Sequence, residues 1–213
     1  VRVGGKGNFA RYRSFFDAFG IEVKVVADLD VLFEGYQHLG GSALSVELRA
    51  AAIRRVDERV AALGIRPTVS AKRIRAKTSG PGWRERYEAA RAAFERVTEG
   101  NPLTDADRVG IKGLFLWEQD EARMAAVQSD EEARRALIPV LDQLRSEGIC
   151  VLSLGAIEDY YPETVEASGS KPQRALDAAT AVQTREQALA LSRALDVGRR
   201  TELEEVFAAL FSA

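Results

Sequence analysis

Three acids carry the sharpest chemical signal in the chain. Asp28 and Asp30 close the apolar run from Ile21 to Ala27, and Glu158 follows a second apolar run, Gly148 to Leu154. Side chains two apart on a strand point to the same side. An Asp-x-Asp pair at a strand end therefore offers two hard oxygen donors together. Two carboxylates that close repel unless a proton or cation lies between them, and Mg²⁺ has the matching preference for oxygen. In an open α/β sheet, ligands sit beyond the carboxyl ends of the strands. A second strand bringing Glu158 to that edge would complete an oxygen-lined site. Each acid also has a plainer reading. The aspartates can serve as turn or cap residues, and Glu158 or Asp159 as a first-turn acid favoured by a helix dipole.

Basic residues supply the complementary charge. Lys171 lies in the loop Ser168-Gly169-Ser170-Lys171-Pro172, where its ammonium can stabilise phosphoryl charge or simply be solvated. Gly4-Gly5-Lys6-Gly7-Asn8 reads as a strand-to-helix turn in which Gly5 and Lys6 can meet phosphate. It lacks the spacing of a Walker A loop. Gly5 to Ala10 does fit the looser dinucleotide fingerprint, with Asp28 near the place of a ribose-binding acid. A Rossmann-type oxidoreductase is thus the alternative, although the next strand ends in two acids and a helical block interrupts the βαβ series. Asp28-Leu29-Asp30 also resembles a phosphatase motif, but Val31 stands where that motif has glycine. The basic stretch Lys72, Arg73 and Arg75 can grip a phosphate backbone or form a solvated hinge. Without the acids, that stretch would make the chain a non-catalytic nucleic-acid-binding module.

The elements that must position these residues follow from hydrophobic period and punctuation. Asn8 caps a predicted helix over Phe9 to Phe19, and Gly20 takes a left-handed C-terminal position. A strand then leads to Asp28, which makes a βαβ-like unit and implies parallel strands. From about Ser42 to Glu147 the pattern is helical: Ser45 to Leu63, Trp83 to Val97, Thr104 to Met124 and Asp130 to Ser146. Ser129-Asp130-Glu131-Glu132 resembles a capping box. Gly148 to Leu154 reads as a buried parallel strand, and helices close the chain, the last over Glu202 to Phe211. The predicted fold class is α/β, with a parallel sheet and a large helical insertion.

At 213 residues the chain can bury a substantial core, and its net charge of −2 gives no global attraction to nucleic acid or membrane. No apolar run approaches a membrane span and no signal peptide opens the chain, so a cytoplasmic protein is expected. A single cysteine, Cys150, excludes an internal disulfide and reads as a buried thiol. The single histidine, His38, excludes zinc sites built on several histidines.

Taken together, three places resemble the C-terminal nuclease region of the OLD (overcoming lysogenization defect) family, whose catalytic module is a Toprim domain. These are the glycine-lysine turn Gly4 to Phe9, the Asp-x-Asp strand Val25 to Asp30, and the later strand with its acidic turn, Val151 to Tyr161. The resemblance implies a Rossmann-like Toprim domain over 1–40 and 148–213, with 41–147 as a helical insertion. It also implies two-metal cleavage of DNA with Mg²⁺ or Mn²⁺, and Ca²⁺ as a non-catalytic substitute. Asp28, Asp30 and Glu158 would bind the ions, and Lys171 would be the catalytic lysine. The family begins its Toprim domain with a strand ending in Val-Glu-Gly, and no such motif precedes Gly4. The chain is accordingly expected to be a fragment lacking that strand and the family's N-terminal ATPase domain. The insertion's amphipathic helices leave a homodimer open.

Overall fold

In the computed structural model, the described residues are 8–66, 74–75, 78–79, 81–114, 116–166 and 168–211. The turn carrying Gly5 and Lys6, and the basic residues Lys72 and Arg73, lie outside them. The described chain is mostly helical around one short parallel pair of strands, which is compatible with the α/β reading. Strand β1 (Val25–Ala27) pairs with β2 (Ile149–Val151) in the register Val25 to Ile149, Val26 to Cys150 and Ala27 to Val151. Both strands are shorter than their apolar runs. The ladder is flanked by the Val25 N–H to Gly148 carbonyl bond at 2.8 Å and the Leu152 N–H to Ala27 carbonyl bond at 2.9 Å. Gly148, at φ +75°, turns the partner chain just before β2 and fixes that end.

The chain divides into two compact units, residues 1–63 with 126–213, and residues 64–125. In the first, helix α1 (Phe9–Asp17) precedes β1, and Gly20 takes the expected left-handed conformation. Asn8 departs from its predicted role: it makes no side-chain cap bond. Helix α2 (Ala43–Leu63) starts where Ser42 turns the chain. The Ser42 hydroxyl accepts from the Ser45 N–H, while Ser42 donates through its own N–H and O–H to the Glu147 carboxylate, at 2.9 and 2.6 Å. One serine therefore caps α2 and ties it to the chain entering β2. Ser42, Gln143 and the Arg13 charge outweigh partial burial to hold the Glu147 carboxyl below its ordinary range.

In the second unit, α3 (Pro81–Thr98) and α4 (Asp105–Gly113) pack as a helical pair. Thr104 and Asp107 form a reciprocal capping box at the start of α4, and Arg96 of α3 pairs with that same Asp107. The helix predicted over Thr104 to Met124 is two helices, α4 and α5 (Leu116–Ser129). Gly113, a poor helix former, ends the first.

Back in the first unit, the helix predicted over Asp130 to Ser146 is likewise two, α6 (Glu131–Ala136) and α7 (Ile138–Ser146). Pro139 stands in the first turn of α7, where its missing N–H costs least. The capping residue of α6 is Asp130 rather than Ser129. It accepts from the Ala133 N–H at 2.9 Å and takes a two-pronged bond from Arg59 of α2 at 2.8 and 2.9 Å. Helices α8 (Lys171–Ala181), α9 (Arg185–Ala190) and α10 (Glu202–Phe211) follow.

The core of this unit joins Leu29, Leu32 and Leu39 after β1 with Val56 of α2, Leu141 and Leu144 of α7, and Ile149 of β2, all essentially inaccessible to solvent. Cys150 is buried as predicted, and burial pushes its thiol pKa up. No described helix is long and apolar enough to cross a membrane.

Candidate functional site

The carboxyl ends of β1 and β2 lead to one place. Asp28 follows β1 directly in an extended conformation (φ −69°, ψ 153°), and residues Leu29–Leu32 then coil into a 3₁₀ turn. Leu29, Val31 and Leu32 are all buried. Strand alternation would have put Leu29 and Leu32 on opposite faces, whereas residues three apart in a 3₁₀ turn share one. Burial thus overrides the strand predicted as far as Asp30. Asp28 and Asp30 are neighbours across a tight turn, not alternate positions on a strand.

On the β2 side the chain passes Ser153 and Gly155 and forms a second 3₁₀ turn, Ile157–Tyr160, which carries Glu158. Two backbone contacts join the turns. The Leu29 N–H donates to the Gly155 carbonyl at 2.8 Å, and the Ile157 N–H donates to Asp28 Oδ1 at 3.3 Å. Within the second turn the Ala156 N–H donates to Asp159 Oδ2 at 2.7 Å. Asp159 is therefore committed to holding the loop.

Lys171 occupies a helix start rather than a loop. Ser170 caps α8, accepting from the Gln173 N–H, and Pro172 sits in its first turn. From there Lys171 Nζ lies 2.7 Å from Glu158 Oε1, with the lysine side chain 69% exposed and the glutamate side chain 13% exposed. Arg174, one turn on, stacks over the Tyr161 ring at 5.8 Å.

Opposite electrostatics mark the two principal acids. The Asp28 carboxyl is pushed above its ordinary pKa, first by partial desolvation, then by the charge of Asp30, with Glu158 adding to the rise. The Ile157 N–H and the Lys171 charge oppose this without cancelling it. Glu158 moves the other way, held below its ordinary range chiefly by its bond to Lys171. Asp30, Glu158 and Lys171 thus lie close enough for their charges to act on Asp28. Arg75, the one predicted DNA-contact residue within the described chain, is exposed and belongs to the other compact unit.

Three carboxylates suit a hard divalent cation chemically. Among the described residues, however, no three acidic, histidine or cysteine side chains converge closely enough to hold an ion as they stand. Glu158 faces an ammonium instead. The repulsion felt by Asp28 favours an added positive charge beside it.

That repulsion has a measurable consequence. A carboxyl whose folded-state pKa exceeds its unfolded value destabilises the fold at pH above the folded pKa, and the penalty disappears as pH falls through it. Asp28→Asn keeps an acceptor for the Ile157 N–H and removes the charge. At neutral pH without divalent ions its Tm is expected to rise by about 1–3 °C. The gain should vanish in acid, where Asp28 is protonated anyway. An unchanged or lower Tm at neutral pH would mean that Asp28 is not strained by its neighbours. Glu158 has the reverse sign, contributing stability that is lost as pH falls through its depressed pKa.

Sequence reasoning missed Glu202. It stands in the first turn of α10, where an acid is unremarkable, yet its carboxylate is buried beneath the β2 loop and bonded to Ser153 and Tyr160. No signal in the sequence announced that partnership.

Residues 1–30 match the family model described as overcoming lysogenization defect protein-like, TOPRIM domain. No curated protein and no solved structure matches the chain. The matched stretch takes in the glycine-lysine turn, β1, Asp28 and Asp30, and it supports a TOPRIM-containing, OLD-like protein.

Proposed function

We propose that this chain is part of the catalytic region of an OLD-like nuclease that hydrolyses DNA phosphodiesters with Mg²⁺ or Mn²⁺. The observation that carries the reading is the delivery of Asp28, Asp30, Glu158 and Lys171 to one end of a parallel strand pair, within a stretch whose first part matches a TOPRIM model. TOPRIM domains generally perform metal-dependent cleavage or priming of nucleic acids.

Bound ions would activate a water and neutralise the leaving oxygen. Asp28 and Asp30 would hold them from the β1 turn and Glu158 from the β2 turn. The exposed Lys171 ammonium would stabilise charge on a phosphoryl oxygen or protonate the leaving group. The domain division proposed with this reading places the nuclease in 1–40 and 148–213 and a helical insertion in 41–147. Lys6 and the basic residues Lys72, Arg73 and Arg75 would contact the DNA backbone. An ATPase region of the same protein would control cleavage in the cytoplasm.

Supercoiled plasmid provides the direct test. Conversion to nicked or linear DNA is expected with Mn²⁺ or Mg²⁺ and none with chelator present. A folded chain that neither cleaves nor binds Mn²⁺ by calorimetry would sink the reading.

A further inference from the structure

Glu202 is 1% exposed, and its carboxylate accepts three bonds from neutral donors. The Ser153 N–H donates to Oε1 at 2.7 Å; the Ser153 hydroxyl and the Tyr160 hydroxyl donate to Oε2 at 2.7 and 2.5 Å. Tyr160 in turn accepts from the Leu154 N–H at 3.1 Å. On one side Leu152, Tyr160 and Leu203 form a buried cluster, with Leu154 and Leu191 packed against it, while on the other Arg134, Arg135 and Arg193 line the same pocket as Ser153 and Glu202. Burying a carboxylate there is unfavourable before its hydrogen bonds are counted. A leucine would fill similar volume with less desolvation. It would not fix three donors on a single loop.

Those donors bracket the functional turn. Ser153 precedes it and Tyr160 ends it, and between them lie the Gly155 carbonyl that receives the Leu29 N–H, the Ile157 N–H that reaches Asp28, and Glu158 itself. Helix α10 is a firm anchor. Arg199 bonds both Asp142 of α7 and Glu205 of α10 at 2.7–2.9 Å, Arg145 bonds Glu205 at 2.8 Å, and Ser192 accepts from the Leu203 N–H at 3.0 Å. The loop is thus clamped from below by α10 and met from above by the Asp28 turn.

We infer that Glu202 is a positioning residue: through Ser153 and Tyr160 it sets where the 154–159 loop places Glu158 relative to Asp28 and Asp30. The inference rests on the proposed metal role of those acids, and its test separates the two. Glu202→Leu and the conservative Glu202→Gln are compared with wild type by amide exchange and by Mn²⁺ titration calorimetry. In the leucine variant the Leu29 and Ile157 amides are expected to exchange at least tenfold faster while Val25 and Leu152 keep their protection. Mn²⁺ affinity is expected to fall about 10- to 100-fold, the range for partners that orient metal ligands. The glutamine variant, which keeps one acceptor and its shape, should recover most of both.

Unchanged exchange at Leu29 and Ile157 in a folded leucine variant would overturn the inference, as would unchanged Mn²⁺ affinity. If wild type binds no Mn²⁺ but the leucine variant still loosens the loop, the loop placement stands and the metal reading falls. Should the leucine variant fail to fold, Tyr160→Phe, which removes a single hydroxyl, is expected to move both readouts in the same direction by a smaller factor. No movement there would overturn the inference too.

Discussion

Asp30→Ala is expected to reduce metal-dependent plasmid cleavage by at least ~10²-fold while leaving the fold intact. Removing one ligand of an ion that carries the reaction withdraws several kcal/mol of charge stabilisation from the transition state, and each 1.36 kcal/mol is tenfold in rate. The local structure gives little reason for collapse. Asp30 lies in a short 3₁₀ turn whose buried residues are Leu29, Val31 and Leu32, and these remain. Its loss also relieves the repulsion on Asp28, whose pKa is raised in part by the Asp30 charge. The expected signature is therefore a catalytic loss without a fall in Tm. Cleavage persisting within threefold of wild type would remove Asp30 from the site. A Tm drop of more than about 5 °C would recast it as structural.

Gly155→Ala is expected to damage both stability and cleavage. Gly155 has φ +142°, a conformation that residues with a side chain rarely adopt, and an added Cβ would overlap the Asp159 carboxylate. Backbone strain of this kind costs roughly 1–3 kcal/mol, and relieving the overlap means moving Asp159 off the Ala156 N–H. The same residue supplies the carbonyl that receives the Leu29 N–H. Any shift is thus passed directly to the Asp28 turn. Thermal denaturation should show a Tm several degrees lower, with Mn²⁺ affinity reduced in the protein that remains folded. Wild-type behaviour in both assays would mean that the loop between Leu154 and Tyr160 has room the structure does not show.

Much of this was readable from residue order alone, and the failures share a cause. The helix start at Thr104 and the left-handed Gly20 follow from local chemistry, as does the last helix, Glu202–Phe211, although the first helix ends at Asp17, short of the predicted Phe19. Parallel pairing of the two apolar runs was legible from the βαβ-like start and from the nearly continuous apolar run Gly148 to Leu154. The misreadings arose where burial redirects a local preference. Asp30 sits in a 3₁₀ turn because Leu29 and Leu32 must share a buried face. Lys171 begins a helix because Ser170 caps it, a signal present in the sequence but outweighed there by the flanking glycine and proline. Glu202 was illegible: an acid in the first helical turn reads the same whether it faces water or a buried serine. The relation of Lys171 to Glu158 was equally hidden, since no spacing rule announces an ion pair between a turn and the next helix.

The pairing of β1 with β2 also sets a schedule. Val25 and Ile149 are partners in the ladder yet about 120 residues apart in the chain. Contacts so distant close late, after the intervening segments have had time to order, because the entropy of the loop must be overcome before the ladder repays it. On a ribosome adding ~5–20 residues per second, Asp28 and Asp30 emerge many seconds before the strand that leads to Glu158. The acids of the proposed nuclease are therefore kept apart during synthesis, and the site first assembles once the segment carrying Glu158 has been made.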